Sequence, residues 1–205
     1  MKNFIEVGKT EEEQVEQIKK WVKDNGMQIF AGIAIGLSGI WGMDAYKSYQ
    51  NAQSLEARTL YLNVAINPNN SKALEQLSAE HEDSGYLEQA NLLLAKNAVN
   101  NKNYTQALEY LAPLNASNNN QIAKIATLRT ASLHLEMGNF KQALEVLNSA
   151  SSGEFNGLYN QLKGDIYLAD NQTDNAKKHY QLALKQISQD SKLRNLISIK
   201  LNDLN

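Results

Sequence analysis

Asn103-Tyr-Thr-Gln-Ala-Leu-Glu-Tyr-Leu111 returns further along the chain as Asn139-Phe-Lys-Gln-Ala-Leu-Glu-Val-Leu147. A third copy, Asp170-Asn-Gln-Thr-Asp-Asn-Ala-Lys-Lys-His-Tyr180, keeps the small residue and the aromatic. The alanines that align, Ala107, Ala143 and Ala176, stand 36 and 33 residues apart. A period near 34 points to tandem helix pairs, each of which buries its apolar face only against its neighbours. Ahead of each copy the apolar spacing predicts a longer helix, over 87–99, 122–137 and 158–169. Strand-like alternation is nearly absent, so the fold class is all-α.

This pairing looks like the tetratricopeptide repeat. Gly164, Tyr167, Ala176, Tyr180 and Ala183 fall at that motif's small, aromatic, small, aromatic and small positions. Small residues let paired helices approach closely, and aromatics fill the gaps beside them. The second copy supplies Ala131, Gly138, Ala143, Leu147 and Ala150, and departs at Thr130 and His134, where larger apolar residues are usual. The first supplies Leu94, Ala95, Ala107 and Leu111. Leu193, Leu196, Ile197, Leu201 and Leu204 predict a terminal amphipathic helix, the cap that a solenoid needs. Upstream, Ser48, Ala52, Leu55, Thr59, Leu62 and Ile66 alternate spacings of four and three, a seam expected to pack on the domain, with Asn67-Pro68 ending its helix. A helix over 71–83 follows, with Leu74 and Leu77 inward.

Residues 25–43 carry no charge. As a helix they rise about 28 Å, the thickness of a bilayer's hydrocarbon layer. A cleaved signal peptide would begin with a short basic segment and end at a small-residue cleavage site. Here an acidic tail precedes the run and no Ala-x-Ala follows Met43, so an uncleaved anchor is expected. The boundaries read as 1–24 for a cytoplasmic tail, 25–43 for the transmembrane anchor and 44–205 for a repeat domain on the outer side, a periplasmic domain if the source is a diderm bacterium. Lys19, Lys20 and Lys23 against the sparse Lys47 and Arg58 set this orientation, with the N-terminus cytoplasmic. In the tail, Thr10 and Glu13 form a capping-box pattern and Val15, Ile18, Trp21 and Val22 an apolar face. That face reads either as an interfacial helix or as a docking surface for a cytoplasmic partner. Gly32, Gly36 and Gly39 share one side of the anchor, a candidate packing face for another membrane helix, although glycine is common in such helices anyway.

Charge is nearly balanced, with 20 Lys and Arg against 22 Asp and Glu, so nucleic acid is not expected as a partner. Cysteine is absent, which removes disulfides, thiol catalysis and Cys-ligated metal. His81, His134 and His179 are scattered, and Glu80-His81-Glu82-Asp83 reads as a polar helix end, with a weak metal site there as the lesser alternative. Phosphate loops and nucleophile elbows are missing. No catalytic residue, metal or cofactor is expected, and the chain reads as a non-enzyme.

Binding remains. The tetratricopeptide likeness implies that the first helix of each pair lines a concave face. By register that lining is Leu92, Lys96 and Val99; Ile125, Leu128, Ser132 and Leu135; and Leu158, Gln161, Asp165 and Leu168. Exposed apolar surface of this kind marks a partner or client groove. The alternative is that the chain's own helices, the one before Asn67 or the terminal cap, fill it.

The whole layout resembles the YfgM family, the ancillary subunit of the SecYEG translocon. The residues that carry the likeness are Glu13-Gln-Val-Glu-Gln-Ile-Lys-Lys-Trp-Val-Lys-Asp-Asn-Gly26, the glycine-spaced anchor, Gly138-Asn-Phe-Lys-Gln-Ala-Leu144 and the ending Ile199-Lys-Leu-Asn-Asp-Leu204. The resemblance implies a single-pass inner-membrane protein with a periplasmic repeat domain. It implies partners too: SecYEG, the membrane-anchored periplasmic chaperone PpiD, and exported client proteins. A repeat scaffold in another envelope assembly, such as outer-membrane protein insertion or cell-wall synthesis, stays open beside it.

Overall fold

The three sequence copies end their first helices in the same turn. In a computed structural model that describes residues 10–150 and 153–204, Lys102, Gly138 and Asn171 all have positive φ, at 60°, 74° and 58°. After each, the next backbone N–H reaches back five residues: Asn103 to the Ala98 carbonyl, Asn139 to His134 and Gln172 to Tyr167, each at 2.8 Å. This is the Schellman closure, which satisfies carbonyls that a helix end leaves open. It produces three helical hairpins: α3 (Gly85–Asn100) with α4 (Tyr104–Leu111), α5 (Asn120–Glu136) with α6 (Phe140–Ser149), and α7 (Asn156–Ala169) with α8 (Thr173–Gln186). Ahead of them stand α1 (Glu11–Ile66) and α2 (Ser71–Glu80), and α9 (Lys192–Asn202) follows. No strand occurs among the described residues.

The repeat alanines do what their spacing predicts. Ala107, Ala143 and Ala176 are fully buried, as is Ala131, and Ala95 nearly so. At Gly164 the small position faces an aromatic. A Cβ there would lie 2.5 Å from the Tyr180 ring, so the aromatic occupies the space that the missing side chain leaves. The core runs as four consecutive clusters along the chain. They centre on Ala57, Val64 and Leu77; on Ala107, Leu111 and Leu114; on Leu147, Tyr159 and Ile166; and on Tyr180, Ala183 and Ile197. The terminal cap forms as expected, with Leu193, Leu201 and Leu204 against the last cluster, although Leu196 faces out.

The chain divides into two compact units, Met1–Leu55 and Glu56–Asn205, and the division falls inside α1. In the first unit α1 is continuous, so the expected tail helix and anchor are one element without a break. Met27, Phe30, Ile35 and Trp41 are all more than two-thirds exposed, and this helix is long and apolar enough to cross a membrane. Nothing lies within 4 Å of where a Cβ would stand at Gly32, Gly36 or Gly39, so that stripe is open.

Two expectations in the second unit are corrected. The helix expected over 71–83 ends at Glu80, with His81 as its C-cap. The seam of Leu55, Thr59, Leu62 and Ile66 is not the packed face: all four are exposed, Ile66 at 84%. The buried stripe is Ala57, Leu60, Tyr61 and Val64, a second i, i+3, i+4, i+7 set on the other side of the same helix. Ala57 and Val64 pack in one cluster with Ala73 and Leu77 of α2 and Ala90 and Leu94 of α3.

Candidate functional site

A cavity of about 280 Å³ opens between the first helices of the first two hairpins. Ala95, Lys96 and Val99 of α3 form one wall, and Arg129, Ser132, Leu133 and Glu136 of α5 the other, with Leu111 of α4 beneath. The lining is apolar at its base and charged at its rim, where Lys96, Arg129 and Glu136 stand exposed. That is the composition of a site that grips an apolar group and orients it through charge.

This cavity gathers Lys96, Val99 and Ser132 from the residues singled out by register. Ser132 donates its hydroxyl to the Leu128 carbonyl at 2.9 Å, which leaves the side chain little polar demand of its own. Leu92, Leu128 and Leu135 are half-buried against core clusters and pack there instead of lining the cavity. Ile125 and Leu158 are half-buried outside the cavity, and Leu168 is exposed. Sequence reasoning missed Arg129 and Glu136. Their spacing from Ser132, three back and four on, was the available signal: α5 is turned about one residue further than the assumed register.

At the C-terminal end the same face is occupied. The Tyr180 hydroxyl donates to Asp165 Oδ1 at 2.7 Å, and Lys200 Nζ of α9 donates to the same oxygen at 2.6 Å. Gln161 donates to Asp165 Oδ2. Both Gln161 and Asp165 are therefore bound into an internal network that ties α7, α8 and α9. Burial pushes the Tyr180 hydroxyl well above its ordinary range, and the hydrogen bond and charge of Asp165 push it further. The cap thus covers this end, while the cavity between α3 and α5 stays open.

The histidines of the repeats are packing residues. His179 stacks on Tyr167 with ring centroids 5.2 Å apart, and its Nδ1 lies 2.8 Å from Asn160 Oδ1. Burial, then the Lys163 and Lys178 charges, lowers its pKa. Thr130, buried in place of a larger apolar side chain, faces Asn115 at 3.4 Å, and Thr127 caps its own hydroxyl on the Ala123 carbonyl at 2.9 Å. Of the second copy's two departures, Thr130 is thus met by a polar partner, whereas His134 keeps its Nδ1 buried without one.

A family described as a tetratricopeptide repeat-like domain matches residues 19–205. A protein of Aggregatibacter actinomycetemcomitans named ancillary SecYEG translocon subunit is 30% identical over 95% of this chain and 97% of its own length. Proteins of the same name from Haemophilus influenzae and Escherichia coli K12 are 28% and 22% identical, over 95% and 98% of this chain and 97% and 99% of theirs. With its repeat pairs, its apolar first helix and this likeness along nearly the whole length, the chain belongs to the YfgM family of tetratricopeptide-like proteins.

Proposed function

We propose that this chain is a non-enzymatic ancillary subunit of the SecYEG translocon in the inner membrane. Residues 25–43 cross the bilayer, the tail lies in the cytoplasm and the repeat domain lies in the periplasm. The observation that carries this is the 30% identity to a named translocon subunit over 95% of the chain. The exposed apolar run of α1 supports it, because such a surface is stable only in lipid or against another helix. The mechanism is proximity. The anchor raises the local concentration of the repeat domain beside the exit site, where the cavity between α3 and α5 receives an extended apolar segment of an emerging client. A PpiD-type chaperone held at the same place takes the client onward. Gly32, Gly36 and Gly39 give a neighbouring membrane helix a surface for close packing.

A photo-crosslinker at Ile33 or Ile40, two exposed anchor positions, tests this. Translocon subunits as the main adducts are the expected result. Adducts confined to outer-membrane insertion or cell-wall synthesis proteins would instead establish the scaffold reading. Protease added to spheroplasts should remove the repeat domain, and its protection would reverse the orientation.

A further inference from the structure

The turn after α2 brings a buried imidazole to two carboxylates. Glu80 is the last residue of α2, and His81 is its C-cap, held by its backbone N–H on the Leu77 carbonyl at 3.1 Å. Glu56 comes from α1, far back in the sequence. One ligand atom from each of the three lies within 4.8 Å of the other two. His81 is 8% accessible, and its Nε2 is buried without a hydrogen-bond partner. The nearest carboxylate oxygen, Glu56 Oε2, is 3.9 Å away, beyond hydrogen-bond reach. Buried polar atoms are normally paired, so an orphaned ring nitrogen beside this carboxylate cluster asks for a ligand.

We infer that Glu56, Glu80 and His81 form a zinc site that clasps α1 to α2. Three ligands on a tetrahedral zinc stand about 3.4 Å from one another. The carboxylates must therefore move inward by roughly an ångström. Both glutamates are exposed and can rotate, while the buried His81 stays in place. Two carboxylates and a neutral imidazole balance a divalent charge, and water completes the fourth position. One nitrogen with two oxygens suits zinc. Calcium and magnesium prefer all-oxygen shells, and copper(I) seeks the thiolates that this chain lacks. The sequence offered Glu80 and His81 but pointed to Glu82 and Asp83, the acids next in line, which are not the ligands. The second carboxylate comes from α1.

Untagged full-length protein in mild detergent, stripped with a chelator, is titrated with zinc chloride and its bound metal counted after dialysis. About one zinc per chain is expected. Glu56→Gln and Glu80→Gln, both at exposed positions that leave the fold intact, should each weaken binding by about 100-fold or more. His134→Gln and His179→Gln should leave it unchanged. Cobalt(II) should give intense tetrahedral visible bands that the Glu56→Gln protein lacks. A wild-type chain that takes up no zinc overturns the inference. Equal uptake by a Glu56→Gln/Glu80→Gln double variant overturns it as well.

Discussion

The third hairpin and the space between the first two are built from the same repeat, yet one is shut and the other open. In α7 and α8 a glycine faces a tyrosine, and the tyrosine's hydroxyl is tied to Asp165 and, through it, to Lys200 of the cap. Between α3 and α5 the equivalent small residues, Ala95 and Ala131, sit in apolar clusters, and the cavity beside Val99 and Ser132 has an exposed charged rim. The difference teaches that closure of a concave face is decided by polar ties as much as by apolar fit. Where Asp165 offers an acceptor, α9 docks. Where Lys96, Arg129 and Glu136 offer only a rim, the face is left for another molecule.

The contrast breaks most severely where the glycine meets the tyrosine. Gly164→Val should destabilise the domain by about 3 kcal/mol, because its Cβ alone would overlap the Tyr180 ring. Even Gly164→Ala should lower the urea midpoint, although alanine is ordinarily the better helix residue by about 1 kcal/mol. Leu128→Asp comes next. It places a charge against the cluster around Leu147 and Tyr159 and should cost about 2 kcal/mol, seen in thermal melting by circular dichroism. Val99→Asp, 38% exposed, should move stability by no more than about 0.5 kcal/mol. It should nevertheless weaken capture of an apolar client peptide about tenfold, or about 1.4 kcal/mol, by fluorescence anisotropy. If Val99→Asp unfolds the domain and Leu128→Asp does not, the open and closed regions have been assigned the wrong way round.

Two smaller effects sharpen the same comparison. Tyr180 holds its proton more tightly when folded than at its free value of 10.0, so its contribution is full below pH 10 and is lost as pH rises beyond it. Tyr180→Phe should cost about 1 kcal/mol at neutral pH and flatten that alkaline loss. Lys102 sits at φ 60° in the turn where the second hairpin uses glycine. Lys102→Gly should therefore stabilise by up to about 1 kcal/mol, read as a higher melting temperature.

Much of this fold was legible in the alanines. Their spacing placed three hairpins, because a small residue at a helix crossing is a local requirement that the sequence must meet at each repeat; the leucines from Leu193 to Leu204 placed the cap. The packed face of α1 was not legible. Leu55, Leu62 and Ile66 make the more hydrophobic stripe, yet Ala57 and Val64 are buried, with Leu60 and Tyr61 half-buried beside them. Periodicity finds stripes but does not say which of two will meet a neighbour. The lining of the groove was legible only in part for a related reason. The repeat register named the correct helices, but a small rotation of α5 exchanged Leu128 and Leu135 for Arg129 and Glu136. The occupied end depended on Lys200 reaching Asp165 from 35 residues away, a distance in sequence that no local pattern encodes.

The four separate core clusters carry one more implication, for how this domain comes apart. With no single nucleus that every helix shares, each hairpin is held chiefly by the hairpins beside it, and opening proceeds in segments rather than all at once. Amide hydrogens of α9 should exchange well before those of α4 and α5, which have neighbours on both sides. A midpoint from a single spectroscopic probe would then average over several transitions. Damage at the cap would spread inward one hairpin at a time and reach the groove last.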